Sequence, residues 1–222
     1  MKKHSLISLA AILVTLAPMS RADLLLNGDF SLSTSPTATP TDWTNIGPSD
    51  GVIADSVFGT PSYNGDTYYF DTGGYGDSAP ASGDGIEQTV ATSIGTQYAL
   101  SFGLSNENTP NAPTEYAGPE FLTVLVNGTA IQTIPVAYNS AYGGFQLPWV
   151  TENLNFTATS SSSTIAFTVT GTNLGDLDPL IDGVDLEVSS TAAVPEPTSL
   201  LLLGTMVGLV GLTLRRKLAG SR

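Results

Sequence analysis

Between Asp23 and Val194 the only side chains that titrate are carboxylates and tyrosines. All seven basic residues lie outside that stretch, at Lys2, Lys3, Arg21, Arg215, Arg216, Lys217 and Arg222. The one histidine is His4, and there is no cysteine. This excludes an imidazole base for a Ser or Cys nucleophile, a lysine Schiff base and a cationic phosphate grip. It also excludes thiolate or imidazole metal sites and a basic surface for nucleic acid. Nineteen of the twenty acidic residues fall between Asp23 and Glu187, within a net charge of −13. With no cation nearby they must stay solvated or share one. Asp176, Asp178, Asp182, Asp185 and Glu187 crowd into twelve residues, a set of oxygen donors that suits Ca²⁺ or a solvated acidic strand edge. The spacing lacks the Gly and distal Glu of an EF-hand loop. Glycoside hydrolysis is the common reaction that carboxylates run alone, but the spacing of Glu87, Glu107, Glu115, Glu120 and Glu152 pairs no two of them. No catalytic residue is assigned, and the chain reads as a non-enzyme.

Aromatic residues are the better sign of a ligand. Tyr63, Tyr68, Tyr69, Phe70 and Tyr75 cluster ahead of one Gly-rich stretch, and Tyr138, Tyr142, Phe145 and Trp149 cluster later. Ring faces stack on the C–H surfaces of sugars, and neighbouring amides bond hydroxyls. Tyr69, Tyr75, Tyr142 and Trp149 are the candidate ligand contacts. Aromatics also fill cores, and that reading stands beside the first, with Trp43 and Trp149 at least half-buried.

The elements that must carry these groups are strands. Tyr98, Leu100, Phe102 and Leu104 alternate at period two, as do Ile165, Phe167 and Val169, and then Leu180, Val184, Leu186 and Val188. Residues 121–126 are apolar on both faces, as a central strand would be. Asn127-Gly128 then joins them to a second run, the sequence signal of a type I′ hairpin. Nine or ten strands are expected, with no helix, giving an all-β antiparallel sandwich. Two long loops, 73–84 and 106–119, interrupt them. A domain this size buries enough surface to stand without disulfides.

The two ends are addresses. Lys2, Lys3 and His4 precede an apolar run of eleven residues, Leu6 to Leu16, too short to span a bilayer as a helix. Ser20 and Ala22 are the small residues of a signal-peptide cleavage site between Ala22 and Asp23. At the other end Ser199 to Leu214 carries no charge and is followed by Arg215, Arg216 and Lys217, which would stay on the cytoplasmic side of a transmembrane helix. The expected organisation is a signal peptide over 1–22, a sandwich over 23–190, a linker over 191–197 and a membrane tail over 198–217.

Val194, Pro195, Glu196 and Pro197, followed by the short apolar helix and the basic triplet, resemble the PEP-CTERM sorting tail of Gram-negative bacteria. The resemblance implies an exosortase as partner, a membrane-anchored precursor, and release to the cell surface or an extracellular matrix rich in exopolysaccharide and biofilm components. Asn27-Gly28-Asp29-Phe30 with Asp42-Trp43, and later Ile181-Asp182-Gly183-Val184-Asp185-Leu186, resemble galactose-binding-like jelly rolls, the class that includes many carbohydrate-binding modules. That resemblance implies a jelly-roll sandwich of eight or more strands with its termini close together. It also implies a structural Ca²⁺ between the opening segment and the last strand, with Asp29, Asp182 and Asp185 as its ligands. The chain departs from the family pattern at Ser31 and Gly183.

Three functions follow as expectations. The first is a non-catalytic carbohydrate-binding domain acting on polysaccharide. The second is a structural or adhesive matrix protein with no small ligand. The third is a glycosidase or an ice-binding protein; ice binding would want a flat threonine array, and threonine looks scattered along the chain.

Overall fold

The computed structural model describes residues 23–33, 39–47, 51–54, 61–72, 82–107, 120–136, 139, 141, 146–171 and 178–189. Ten strands occupy them: β1 (Thr44–Ile46), β2 (Gly51–Ala54), β3 (Tyr68–Asp71), β4 (Gly85–Ala91), β5 (Gln97–Asn106), β6 (Glu120–Val126), β7 (Thr129–Val136), β8 (Val150–Thr157), β9 (Ser162–Gly171) and β10 (Pro179–Val188). Among the described residues there is no helix. All strand pairs are antiparallel.

The strands form two five-stranded sheets, β1-β4-β9-β6-β7 and β2-β3-β10-β5-β8. Without the short edge strands β1 and β2, these read β4-β9-β6-β7 facing β3-β10-β5-β8. That is the order of an eight-stranded jelly roll, in which the chain alternates between sheets and later strands insert between earlier ones. The hairpin at Asn127-Gly128 joins β6 and β7, with φ of 51° and 74° at the two turn residues, both positive as a type I′ turn requires.

The core lies between the sheets. Tyr98, Leu100 and Phe102 of β5 face Ile165 and Phe167 of β9 and Leu122 and Val124 of β6, and all are buried. Phe102 and Phe167 meet edge to face at 5.0 Å. Each large apolar side chain so buried contributes about 1.5–3 kcal/mol. Phe30 and Trp43 meet at a tilt, 5.7 Å between ring centres, and Trp43 reaches Phe167 at 6.3 Å. Phe30 and Trp43, the aromatic ends of the NGDF and DW pieces, are therefore core residues. Every buried hydrophobic side chain described lies between Leu25 and Leu186, so residues 23–189 contain their own core.

The expected alternation fails at one strand. Leu180 does not share a face with Val184 and Leu186: it packs with Tyr69 in a separate cluster outside the main core, where Ile181, Val184 and Leu186 point. The β10–β5 register slips by one residue between Asp182 and Asp185, and Gly183 sits there with φ 57°. The extra residue of a β-bulge reverses which faces the flanking residues occupy. As a result Leu180, Asp182 and Asp185 all lie on the outer face, although 182 and 185 differ by an odd number.

The opening segment closes the domain. It runs beside the second half of β10, where Leu24 donates to the Leu186 carbonyl at 2.9 Å and Val184 to the Gly28 carbonyl at 2.9 Å. Gln88 of the other sheet grips the Leu26 amide and carbonyl at 2.8 and 2.9 Å. The two ends of the domain thus lie together.

Candidate functional site

The outer face of the sheet β2-β3-β10-β5-β8 is partly roofed by residues 61–67. Tyr63 lies over Gly103 of β5 and Gly183 of the bulge. A Cβ at Gly103 would enter the Tyr63 ring, and one at Gly183 would come within 2.9 Å of it and 2.5 Å of the Asn64 amide nitrogen. Two glycines on neighbouring strands thus make the floor for one aromatic ring. Tyr63 meets Trp149 edge-on at 6.0 Å, and Trp149 meets Tyr69 at 5.7 Å. The Trp149 indole donates to the Pro61 carbonyl at 2.9 Å, and the Tyr63 hydroxyl pairs with Thr151 at 2.5 Å. Both rings are half-buried, while Thr151, Asn153 and Asn155 of β8 are exposed beside them. The surface combines two fixed aromatic rings with a row of hydroxyl and amide groups at strand spacing.

The same roof is tied down by an acid. Asp182 has no exposed surface. Its carboxylate accepts from the Tyr63 amide at 2.7 Å and the Gly183 amide at 2.6 Å. Burial, and then the charge of Asp66, push its pKa up to about 7, with the backbone hydrogen bonds of Gly183, Tyr63 and Asn64 opposing the shift. Asp185 is raised to about 6 by burial first and then by Asp23 and Glu187.

Of the three residues expected to hold Ca²⁺, two share one pocket and the third lies apart. Asp29 and Asp185 line one pocket of about 330 Å³ with Asp23, Asn27 and Asn64, but Asp182 is not among its lining residues. Asp29 spends one oxygen on the Ser31 amide and hydroxyl. Among the described residues no group of three or more acidic side chains is placed to hold a metal. The donor chemistry suits Ca²⁺; Asp182 is bonded to the Tyr63 roof, while Asp23, Asp29 and Asp185 share one pocket.

Of the expected ligand contacts, Trp149 is on the aromatic surface. Tyr69 is fully buried, so it supports Trp149 from beneath rather than offering a face. Tyr75 and Tyr142 lie outside the described residues, as do Ala22, the sorting motif from Val194 to Pro197, and Arg215, Arg216 and Lys217. Tyr63 was visible in the sequence only as one tyrosine of a cluster. Its signal was the pair of distant glycines that make room for it, and no spacing rule links positions 63, 103 and 183.

The other outer face differs. On β4, β9, β6 and β7 threonine hydroxyls bond one another: Thr89 with Thr164 at 2.7 Å, and Thr123 with Thr170 at 2.8 Å and Thr133 at 3.4 Å. Threonines that look scattered along the chain are gathered by the register. Thr123 and Thr168 are buried, and hydroxyls committed to each other present no regular array to water.

Residues 193–217 match the model of the PEP-CTERM protein-sorting motif. The chain carries a PEP-CTERM sorting tail. The motif marks an exported protein sorted at the cell surface. Among the described residues no helix is long and apolar enough to cross a membrane; the expected span over 198–217 lies outside them. No curated protein matches the chain. Its structural neighbours include carbohydrate-binding modules. The family 35 carbohydrate-binding module from Clostridium thermocellum aligns at 18% identity and TM-score 0.42, over 70% of this chain and 100% of that one. The CBM22-1 xylan-binding domain from Paenibacillus barcinonensis aligns at 17% and 0.43, over 79% and 100%. The cleaved adhesin domain of Lys-gingipain from Porphyromonas gingivalis aligns at 14% and 0.49, over 73% and 96%.

Proposed function

We propose that the PEP-CTERM protein is a non-catalytic carbohydrate-binding jelly roll. In this reading it is made as a precursor anchored by its C-terminal helix, processed by an exosortase, and displayed at the surface or in the exopolysaccharide and biofilm matrix of a Gram-negative bacterium. The observation that carries the binding role is the Tyr63–Trp149 pair, held on a glycine floor beside the exposed polar residues of β8. Two rings fixed by packing and by hydrogen bonds lose little freedom when a sugar stacks on them. The exposed amides of Asn153 and Asn155 beside the rings can bond a sugar's hydroxyls. Against catalysis stands the stretch from Asp23 to Val194, with no Lys, Arg, His or Cys.

Affinity electrophoresis tests the reading. The domain should be retarded in gels containing neutral polysaccharide, and Trp149→Ala should weaken that retention about tenfold, the size of a lost aromatic contact of ~1.4 kcal/mol. Anionic polysaccharides should retain it less, because the domain carries nineteen acidic side chains and no basic one. Release of reducing sugar would refute the non-catalytic reading. Absence of retention in every gel would favour the structural or adhesive alternative.

A further inference from the structure

The two ends of the sandwich differ in charge. At one end β3, β5 and β9 finish and β4, β6 and β10 begin. Asp71, Asp84, Glu107, Glu120 and Asp178 stand there, each at or beside a strand end. The opposite end is made of three turns, 91–97, 126–129 and 157–162, and of the exit at Ser189. None of them holds an acidic or a basic residue. The acid nearest the exit along the chain is Glu187, which lies back on β10 opposite Ala99.

Ile94 is the tip of the first turn. At 72% it is the most exposed of the large hydrophobic side chains described. A bonded frame holds it out. Gly95 donates to the Ala158 carbonyl at 2.8 Å, Ala158 to that of Thr96 at 2.9 Å, and Thr92 to that of Ser161 at 3.0 Å. The Ser93 amide donates to the Tyr98 hydroxyl at 2.9 Å. The β4–β5 and β8–β9 turns thus form one block, and the chain leaves the sandwich from it. Ser189 donates to the Gln97 carbonyl at 2.8 Å, three residues from Ile94, so the exit lies within roughly 15 Å of the tip. The eight residues between Ser189 and the expected membrane tail at 198 reach at most roughly 30 Å.

We propose that in the anchored precursor this uncharged end rests on the bilayer surface, with the Ile94 side chain in the apolar part of the interface. The inference rests on the reading of the chain as an anchored precursor. Anionic lipid repels carboxylates that come within a Debye length of about 8–10 Å, so an acidic domain approaches such a surface by its uncharged end. The acids of the opposite end stand roughly 30 Å off, the length of the ten residues of β5. One isoleucine strengthens a contact by about a hundredfold at most, too little to hold a free domain. A tethered domain meets the surface continuously, and the same contact then suffices to orient it. In that posture Tyr63, over Gly103 of β5, is lifted roughly 20 Å from the surface, at ~3.3 Å for each residue beyond Gln97. The ring surface stays open to glycan while the chain is anchored. Cutting off the tail removes the tether, and the contact with the bilayer goes with it.

The chain has no cysteine, so one introduced thiol takes a fluorophore at a single place. Residues 23–222 are reconstituted in vesicles of phosphatidylethanolamine and phosphatidylglycerol with brominated acyl chains, which quench a probe that reaches the apolar layer. Ser93→Cys puts the probe beside the tip. Val150→Cys puts it on an exposed apolar position at the opposite end, where β8 begins. Quenching at 93 should be severalfold stronger than at 150, and Ile94→Asp should lower it to the level at 150. Ile94 belongs to no core cluster, so that variant keeps the fold. The domain to Ser189, without the tail, should show no quenching at either position. Equal quenching of the anchored chain at 93 and 150 overturns the docking. So does a difference that persists in Ile94→Asp, which would come from the tether alone. Quenching of the tailless domain at 93 overturns the dependence on the tether. A chain that does not float with the vesicles overturns the anchored reading itself, and flotation separates that failure from the others.

Discussion

The two outer faces of this sandwich are built from the same alternation and come to opposite states. On the first sheet, threonines of neighbouring strands satisfy one another, so the face is complete by itself. On the second sheet, strands β5 and β10 leave glycines where side chains would stand, and the roof 61–67 settles there. It brings Tyr63 against Trp149, both half-buried, and it covers an acid whose pKa is pushed up to about 7. One face has its polar demands closed within the sheet. The other meets its polar demands through a separate segment laid over the sheet, and a surface built that way is one that a ligand or a proton can alter. Burial alone does not separate them, since each face has buried polar groups. What separates them is whether the partner is found in the adjacent strand.

The largest effect should come from filling the floor under the roof. Gly103→Val puts a branched side chain where Tyr63 sits, and overpacking of this kind costs about 1–3 kcal/mol. The roof should lift, and glycan retention should fall with stability. Ala91→Val is the control on the other face, where the side chain is exposed and the change should be near zero. Denaturant midpoints and affinity gels measure both. Equal effects at the two positions would erase the contrast between the faces.

A smaller effect should come from pH. Asp182 is held at about 7 by burial and by Asp66, above its unfolded value. Its contribution to stability is fully present below the unfolded pKa and is lost as pH rises from about 4 through about 7. Asp185, raised to about 6 beside Asp23 and Glu187, adds to the same slope. The domain should melt higher at pH 5 than at pH 8. Asp182→Asn should flatten the slope and keep one acceptor for the Tyr63 roof. A stability profile that rises from pH 5 to pH 8 would show that the roof is not held over a strained acid.

Much of the fold was legible because periodicity is local. The β5 and β9 faces and the Asn127-Gly128 hairpin follow from neighbours in sequence. β10 was misread at Leu180 because a bulge is a disagreement between two strands, and Gly183 alone does not announce it. The site was less legible still. Trp149 could be named from its chemistry, but Tyr63 required knowing that residues forty and one hundred and twenty positions away were glycines in register. The grouping of Asp29, Asp182 and Asp185 rested partly on the acidic excess and partly on resemblance, and neither could show that Asp182 bonds the Tyr63 amide while Asp29 and Asp185 share a pocket. Pairing between distant strands decides these points, and a single sequence does not encode it in spacing.

The smallest effect should come from the complete face. Thr123→Val keeps the shape and removes one hydroxyl, leaving Thr170 and Thr133 each short of a partner. A neutral hydrogen bond lost among buried groups costs about 1 kcal/mol, a fall of roughly 2–4 °C in a domain of this size. The bond from Thr168 should survive, because it goes to the Thr123 backbone carbonyl. Glycan retention should not change, since the two faces are separated by the full thickness of the core. If Thr123→Val weakened retention as much as Trp149→Ala does, the ligand would lie on the threonine face. The roofed face, with its acid and its rings, would then be a structural clasp and not a binding surface.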